Sequence, residues 1–376
     1  MKKLLPAIAS LIIQLLLACV ASARGVPEVP AGRVEIGTLA GAPYRIDIPA
    51  QWNRVMIIYY HGYAKKPVTF AADKPTWASS IFATAGFAVA QSGYSATGWA
   101  VQQGLTETEK LRAYTVARYG KARETYVMGW SIGGLMTIAS IENFPDRYDG
   151  ALPLCGVIQG TARAMQRQGA LLAAFHYYYP GLLPGPRDIA GDVPLDDEFA
   201  TTVLPSLTRN PVGLAEMLAL AGMKSSADLA SGMVFDSHIQ RDLAQRSGGS
   251  ILDNHNWIYA GGADDYPLNG GVVRYTASPN ALAYLNKWYT PSGLLRKPVL
   301  AVHTVYDPVV PPEVVALYAS EVQRTASDAN FVQQYVKGEG HCNISDNEVM
   351  SAMLELIQWK RTGVKPPGGA LRISTP

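Results

Sequence analysis

The sequence predicts an α/β protein: a mostly parallel sheet with helices on both faces, interrupted by a largely helical insertion. Three observations carry this. Short apolar runs alternate with helix-length stretches between residues 54 and 154, the rhythm of strand–helix–strand units. The rhythm stops from about 156 to 296, where helix-like patches are separated by Gly/Pro/Asp-rich links. It resumes at Pro298 and runs to Thr362.

The elements follow in order. Residues 33–39 and 44–48 alternate apolar and polar side chains and read as strands joined by a turn around Gly41. Residues 54–60 (RVMIIYY) are continuously apolar, as in a strand buried on both faces. A helix is expected over 77–85 and a strand over 87–91. A long helix is expected over 106–118, where Thr106 and Glu109 have the spacing of a capping box. A strand over 125–129 runs into Gly129-Trp130-Ser131-Ile132-Gly133, and a helix continues to about Asn143. Residues 150–154 form a further strand. Within the insertion, helical patches cover 161–174, 211–221, 236–245 and 280–288. A strand over 298–304, a helix over 312–325, a strand over 331–336 and a helix over 346–362 complete the pattern. The Pro/Gly-rich tail from Gly363 is expected to be mobile.

With 376 residues the chain can bury a large core. Lys and Arg number 32 against 30 Asp and Glu, so no basic excess marks a nucleic-acid footprint. The small excess has a local origin. Lys2 and Lys3 precede an apolar run, Leu4 to Val20, and Ala21-Ser22-Ala23 follows. That is the pattern of a secretory signal peptide over 1–23, cleaved near Ala23. Its removal leaves a formally neutral chain with no stable membrane span, secreted or periplasmic. An uncleaved anchor and a lipoprotein attached at Cys19 are the alternatives, although Leu17 suits the lipoprotein pattern poorly. Cys155 and Cys342 then remain. In an oxidising compartment they are either bridged or two buried thiols.

Gly129–Gly133 matches G-x-S-x-G between an apolar strand and an apolar helix. Small residues let such a turn close, which holds the Ser131 hydroxyl above the sheet edge. A serine needs a base. His341 lies after the last strand and before the last helix, where the chain order serine, acid, histidine puts it. Asp307, in Tyr306-Asp307-Pro308, is the acid of the preceding loop; Glu339 is its rival. The oxyanion donors are expected to be the amides of Ile132 and Tyr63, the latter in His61-Gly62-Tyr63. Gly62 there permits an unusual backbone angle.

These residues resemble the α/β-hydrolase superfamily, with Gly129–Gly133 as nucleophile elbow and Ser131–Asp307–His341 as triad. The resemblance covers about 33–155 and 297–362. It implies domains of 24–155 plus 297–376 as hydrolase core and 156–296 as cap or lid. The secretion signal and the His341-Cys342 pair are similar to secreted feruloyl esterases and tannases, in which cysteines beside the serine and the histidine are bridged. Here Trp130 precedes the serine, and Cys155 instead ends the next strand on the same edge. The resemblance therefore suggests a Cys155–Cys342 disulfide pinning the histidine loop.

The implied function is a secreted serine hydrolase cleaving carboxylic esters through an acyl-enzyme, acting on a small-molecule or polymer-derived ester. The alternative is a serine peptidase of the prolyl-aminopeptidase type, which would need cap carboxylates for the substrate amine: Glu198, Glu216, Asp264 or Asp265. No cofactor and no metal is expected. The insertion holds 13 of the 35 aromatic residues, no enrichment, so aromatic content does not argue for an aromatic substrate. The run Phe175–Tyr179 is read as helix-end packing or, alternatively, as pocket lining.

Overall fold

The computed structural model describes residues 32–185 and 197–373. The signal-peptide and Cys19 expectations lie outside these residues. The elements are β1 (Arg33–Leu39), β2 (Ala42–Ile48), β3 (Val55–Tyr60), α1 (Trp77–Thr84), β4 (Ala88–Ser92), α2 (Val101–Tyr119), β5 (Glu124–Trp130), α3 (Ile132–Asn143) and β6 (Gly150–Leu154). The inserted helices are α4 (Thr161–Tyr178), α5 (Asp197–Thr208), α6 (Pro211–Ala221), α7 (Ser226–Ser247), α8 (Tyr266–Gly271) and α9 (Pro279–Lys287). The chain ends with β7 (Val299–Tyr306), α10 (Pro312–Val315), α11 (Leu317–Arg324), β8 (Phe331–Glu339), α12 (Asp346–Thr362) and β9 (Gly369–Ala370).

One sheet holds all nine described strands in the order β1-β2-β4-β3-β5-β6-β7-β8-β9. Only the β1–β2 and β2–β4 pairings are antiparallel. The order reverses beside β3: the chain moves outward to β4, then returns to β5. In open parallel sheets the crevice at such a switch, beyond the carboxyl ends of the strands, is where ligands sit.

Strand alternation divides the core. Met56, Ile58 and Tyr60 of β3 face one layer with α2, α3 and α11. Val55 and Ile57 face the other, with α1 and α12. A third apolar cluster lies within the insertion, around Phe175, Leu207, Met217, Leu229 and Met233. The far half of α7 (Ile239, Leu243) and α9 (Ala281, Leu285) instead join the main core. Glu142, near the end of α3, fixes the segment that returns from the insertion. It accepts from Tyr289 Oη, Ser292 N and Oγ, and Gly293 N, all at 2.5–2.8 Å, and from Tyr318 Oη at 2.7 Å.

Several expected elements are corrected. α2 begins five residues before Thr106, and no side chain caps it. Thr106 donates to the Gln102 carbonyl within the helix, and Glu109 binds Arg112, Arg147 and Tyr148, so there is no capping box. The capping box is at α12, where Ser345 and Glu348 satisfy each other's backbone amides. α7 starts ten residues before the expected 236. The single helix expected over 312–325 is two, α10 and α11. The tail is not simply mobile: Gly369 and Ala370 add a parallel strand to β8.

Candidate active site

Ser131 ends β5 and opens α3 with φ 55° and ψ −121°. A non-glycine residue there is strained and persists only where its surroundings impose it. The surroundings are two glycines. A Cβ at Gly129 would lie 2.6 Å from the Gly133 carbonyl and 2.7 Å from the Tyr60 oxygen. One at Gly133 would run into the same Tyr60 oxygen. Glycine at both positions lets the turn pass under β3 and lifts Ser131 over the strand ends. Gly134 and Gly156 make a similar close backbone approach, which the sequence reading did not single out.

The histidine and the acid reach this point from two other loops. Ser131 Oγ lies 3.0 Å from His341 Nε2. His341 Nδ1 lies 2.8 Å from Asp307 Oδ2. The other Asp307 oxygen accepts the Val309 and Val310 amides at 2.8 and 2.9 Å. Burial alone would raise the Asp307 pKa, but the hydrogen bonds from His341 and Val310 outweigh it. The carboxyl is held below its ordinary value and stays ionised at neutral pH. The rival Glu339 turns away to Lys224 Nζ, 2.7 Å distant.

Cys155, directly after β6, and Cys342, directly after His341, form a disulfide with Cα atoms 5.3 Å apart. The bridge ties the histidine loop to the sheet beside the elbow. The insertion adds a second tie: Lys224 N donates to Tyr306 Oη, which donates to Asp228. Both contacts sit one residue before Asp307.

The His61-Gly62-Tyr63 loop lies against the elbow, for a Cβ at Gly62 would be 3.6 Å from Ser131 Cβ. The expected unusual angle at Gly62 is not found; its φ is not among the positive ones. The loop is shaped instead by stacking of His61 on Tyr94, with ring centroids 3.9 Å apart. The Tyr63 amide is taken by no other backbone carbonyl among the described residues, and the Ile132 amide is the first of α3, without an intrahelical partner. The Tyr63 ring packs edge-on to Phe235 of α7.

A cleft opens on Ser131. Trp99, Ile132, Val157, Phe235 and Val309 supply apolar walls. Its polar lining is Gln159, Arg167 and Gln168, none of which the sequence reading singled out. Trp130 points the other way, its ring 4.9 Å from that of Trp77. Phe175 and Tyr179 are buried in the insertion's own cluster, so their run is packing. Among the described residues no group of three or more His, Cys, Asp and Glu could hold a metal ion, and no helix is long and apolar enough to cross a membrane.

No protein-family model matches the chain, and no curated protein matches it in sequence. Solved structures do match. Feruloyl esterase B from Aspergillus oryzae is 15% identical, with 88% of this chain and 80% of that one covered and a TM-score of 0.47. A putative lipase from Acinetobacter baumannii is 12% identical, with 96% and 99% covered and a TM-score of 0.45. Acylaminoacyl peptidase from Pyrococcus horikoshii is 11% identical, with a TM-score of 0.44; 89% of this chain spans only 40% of its length. At these values the matches decide nothing about activity. The strand order and the strained serine turn between β5 and α3 define the class: this is an α/β-hydrolase fold.

Proposed function

We propose that the protein is an exported serine hydrolase that cleaves carboxylic esters. The observation that carries this reading is the unbroken hydrogen-bonded chain from Ser131 through His341 to Asp307. Ser131 Oγ attacks the ester carbonyl carbon while His341 Nε2 takes its proton. Asp307 holds Nδ1–H, which fixes the tautomer and stabilises the imidazolium. The amides of Ile132 and Tyr63 receive the oxyanion. His341 then returns the proton to the departing alkoxide, and a water activated by the same nitrogen releases the acid. Residues 156–296 serve as a cap that supplies one wall of the cleft, through Val157, Ala164 and Phe235. Export rests on the signal-like residues 1–23 and agrees with the disulfide.

The aminopeptidase alternative is the weaker one. Such an enzyme needs a free carboxylate for the substrate amine, and the cleft lining contains none. Glu216 is spent on the Ala263 amide, Asp264 on Tyr266 N, and Asp265 on Gly261 N and Gly262 N. The side chain of Glu198 lies outside the described residues. The charged lining residue is Arg167, of the wrong sign for an amine.

The test is a panel of nitrophenyl esters and amino-acid anilides on the mature protein. Ester turnover is expected, and Ser131→Ala should lower kcat/KM by at least about 10³-fold. Undiminished turnover in that variant, or anilides cleaved faster than esters, would overturn the reading.

A further inference from the structure

Arg167 lies in the middle of α4 and lines the cleft together with Ser131. Its side chain is only 15% exposed. A guanidinium has five N–H donors and keeps its charge at any working pH, so burial at this depth calls for compensation. Little is found. Nη2 donates to the Ala221 carbonyl at 2.9 Å. The nearest carboxylate, Glu313, is 3.8 Å away on a side chain 64% exposed, where an ion pair contributes little. Asp236 is fully buried near enough to feel the guanidinium. Burial raises its carboxyl pKa, to about 7, which works against the ionised form that would pair with the guanidinium.

The two polar neighbours are also unsatisfied. The side-chain oxygens of Gln159 and Gln168 are buried without a partner. Each orphan oxygen is an acceptor that only a donor would complete, so as placed these oxygens do not themselves call for an anion. A primary amide can turn by half a turn and present either its oxygen or its NH₂ group. The cleft thus combines apolar walls, one under-compensated cation and two adjustable amides, with no acidic lining residue.

Building on the ester-hydrolase reading, we propose that the substrate is an ester that also carries a free carboxylate, seated on Arg167 with Gln159 and Gln168 completing its hydrogen bonds. The carboxylate replaces the missing counter-charge, and the apolar walls hold the chain or ring that joins it to the scissile carbonyl. Arg167 is a specificity-determining residue in this arrangement and takes no part in bond cleavage.

The experiment compares esters matched in size. On the acyl side the pair is monomethyl adipate and methyl hexanoate. On the alcohol side it is the butyrate ester of 4-hydroxybenzoate and phenyl butyrate. The wild-type protein is expected to favour the charged member of one pair by at least about tenfold in kcat/KM. The responding pair identifies the side on which the carboxylate lies. In Arg167→Gln that ratio should fall to about one, and in Arg167→Lys it should fall less. Calorimetry on Ser131→Ala with monomethyl adipate, 4-hydroxybenzoate butyrate and the neutral esters reads the same preference without turnover. Neutral esters cleaved as well as charged ones would overturn the carboxylate proposal and leave the esterase reading standing. A charged-ester preference that survives Arg167→Gln would also overturn it. No ester cleaved, with carboxylate binding to Ser131→Ala that depends on Arg167, would instead sink the esterase reading alone.

Discussion

Asp307 uses its two oxygens for different purposes. Oδ1 accepts two backbone amides that hold the loop after β7, and Oδ2 meets His341 Nδ1. An asparagine would keep the first set, since its oxygen can take the Oδ1 place. It would then aim an NH₂ group at Nδ1 and force the proton to Nε2, where it blocks acceptance from Ser131. Asp307→Asn should therefore stay folded, with Tm within a few degrees, while kcat falls by about 10³–10⁴-fold. Steady-state kinetics with a thermal melt on the same sample checks both halves. A fall of less than tenfold would remove Asp307 from the mechanism. The same residue scale shows what a sequence can carry. Gly129, Ser131 and Gly133 are readable because the turn tolerates little else. His341 and Asp307 follow from chain order. Arg167 is not readable, being one of several polar residues on a helix whose pocket-facing side only packing reveals.

Elements were legible where one physical signal dominated. β3 is a continuous apolar run; the capping box and left-handed glycine that bound α12 were there in the sequence but were not the signals read. The insertion offered mixed signals. α5 contains Pro205 in its interior, a residue that ordinarily argues against a helix. α8 is six residues ending in two glycines. α2 starts on Val101 without a side-chain cap, so the Thr106–Glu109 spacing was a coincidence of composition. The join between insertion and sheet gives a prediction at this scale. Glu142 gathers Tyr289, Ser292, Gly293 and Tyr318 onto one carboxylate. Glu142→Ala leaves those donors unpaired together and should cost about 2–4 kcal/mol of unfolding free energy, read from urea denaturation. A change below about 0.5 kcal/mol would mean that the join is held by other contacts.

For the molecule as a whole, the sheet order places Ser131 after β5, Asp307 after β7 and His341 after β8, so three loops from one edge converge. The insertion leaves and re-enters between β6 and β7 and grips two of those loops, through Tyr306 and through Glu339. Among the described residues one disulfide, Cys155–Cys342, joins the end of β6 to the histidine loop across a sequence separation of 187. Opening it releases the histidine loop from β6. Replacing both cysteines by alanine should lower stability by about 2–5 kcal/mol and depress kcat more than it raises KM. Unchanged melting and kinetics would show the bridge to be dispensable.

The same bridge alters what a protease can do to the protein. Any cut between residues 155 and 342 yields two fragments that remain one covalent molecule. The amino-terminal fragment keeps Ser131, and the carboxyl-terminal one keeps His341. A nick in the insertion would thus leave a single band in a non-reducing gel and appear as two bands only after reduction.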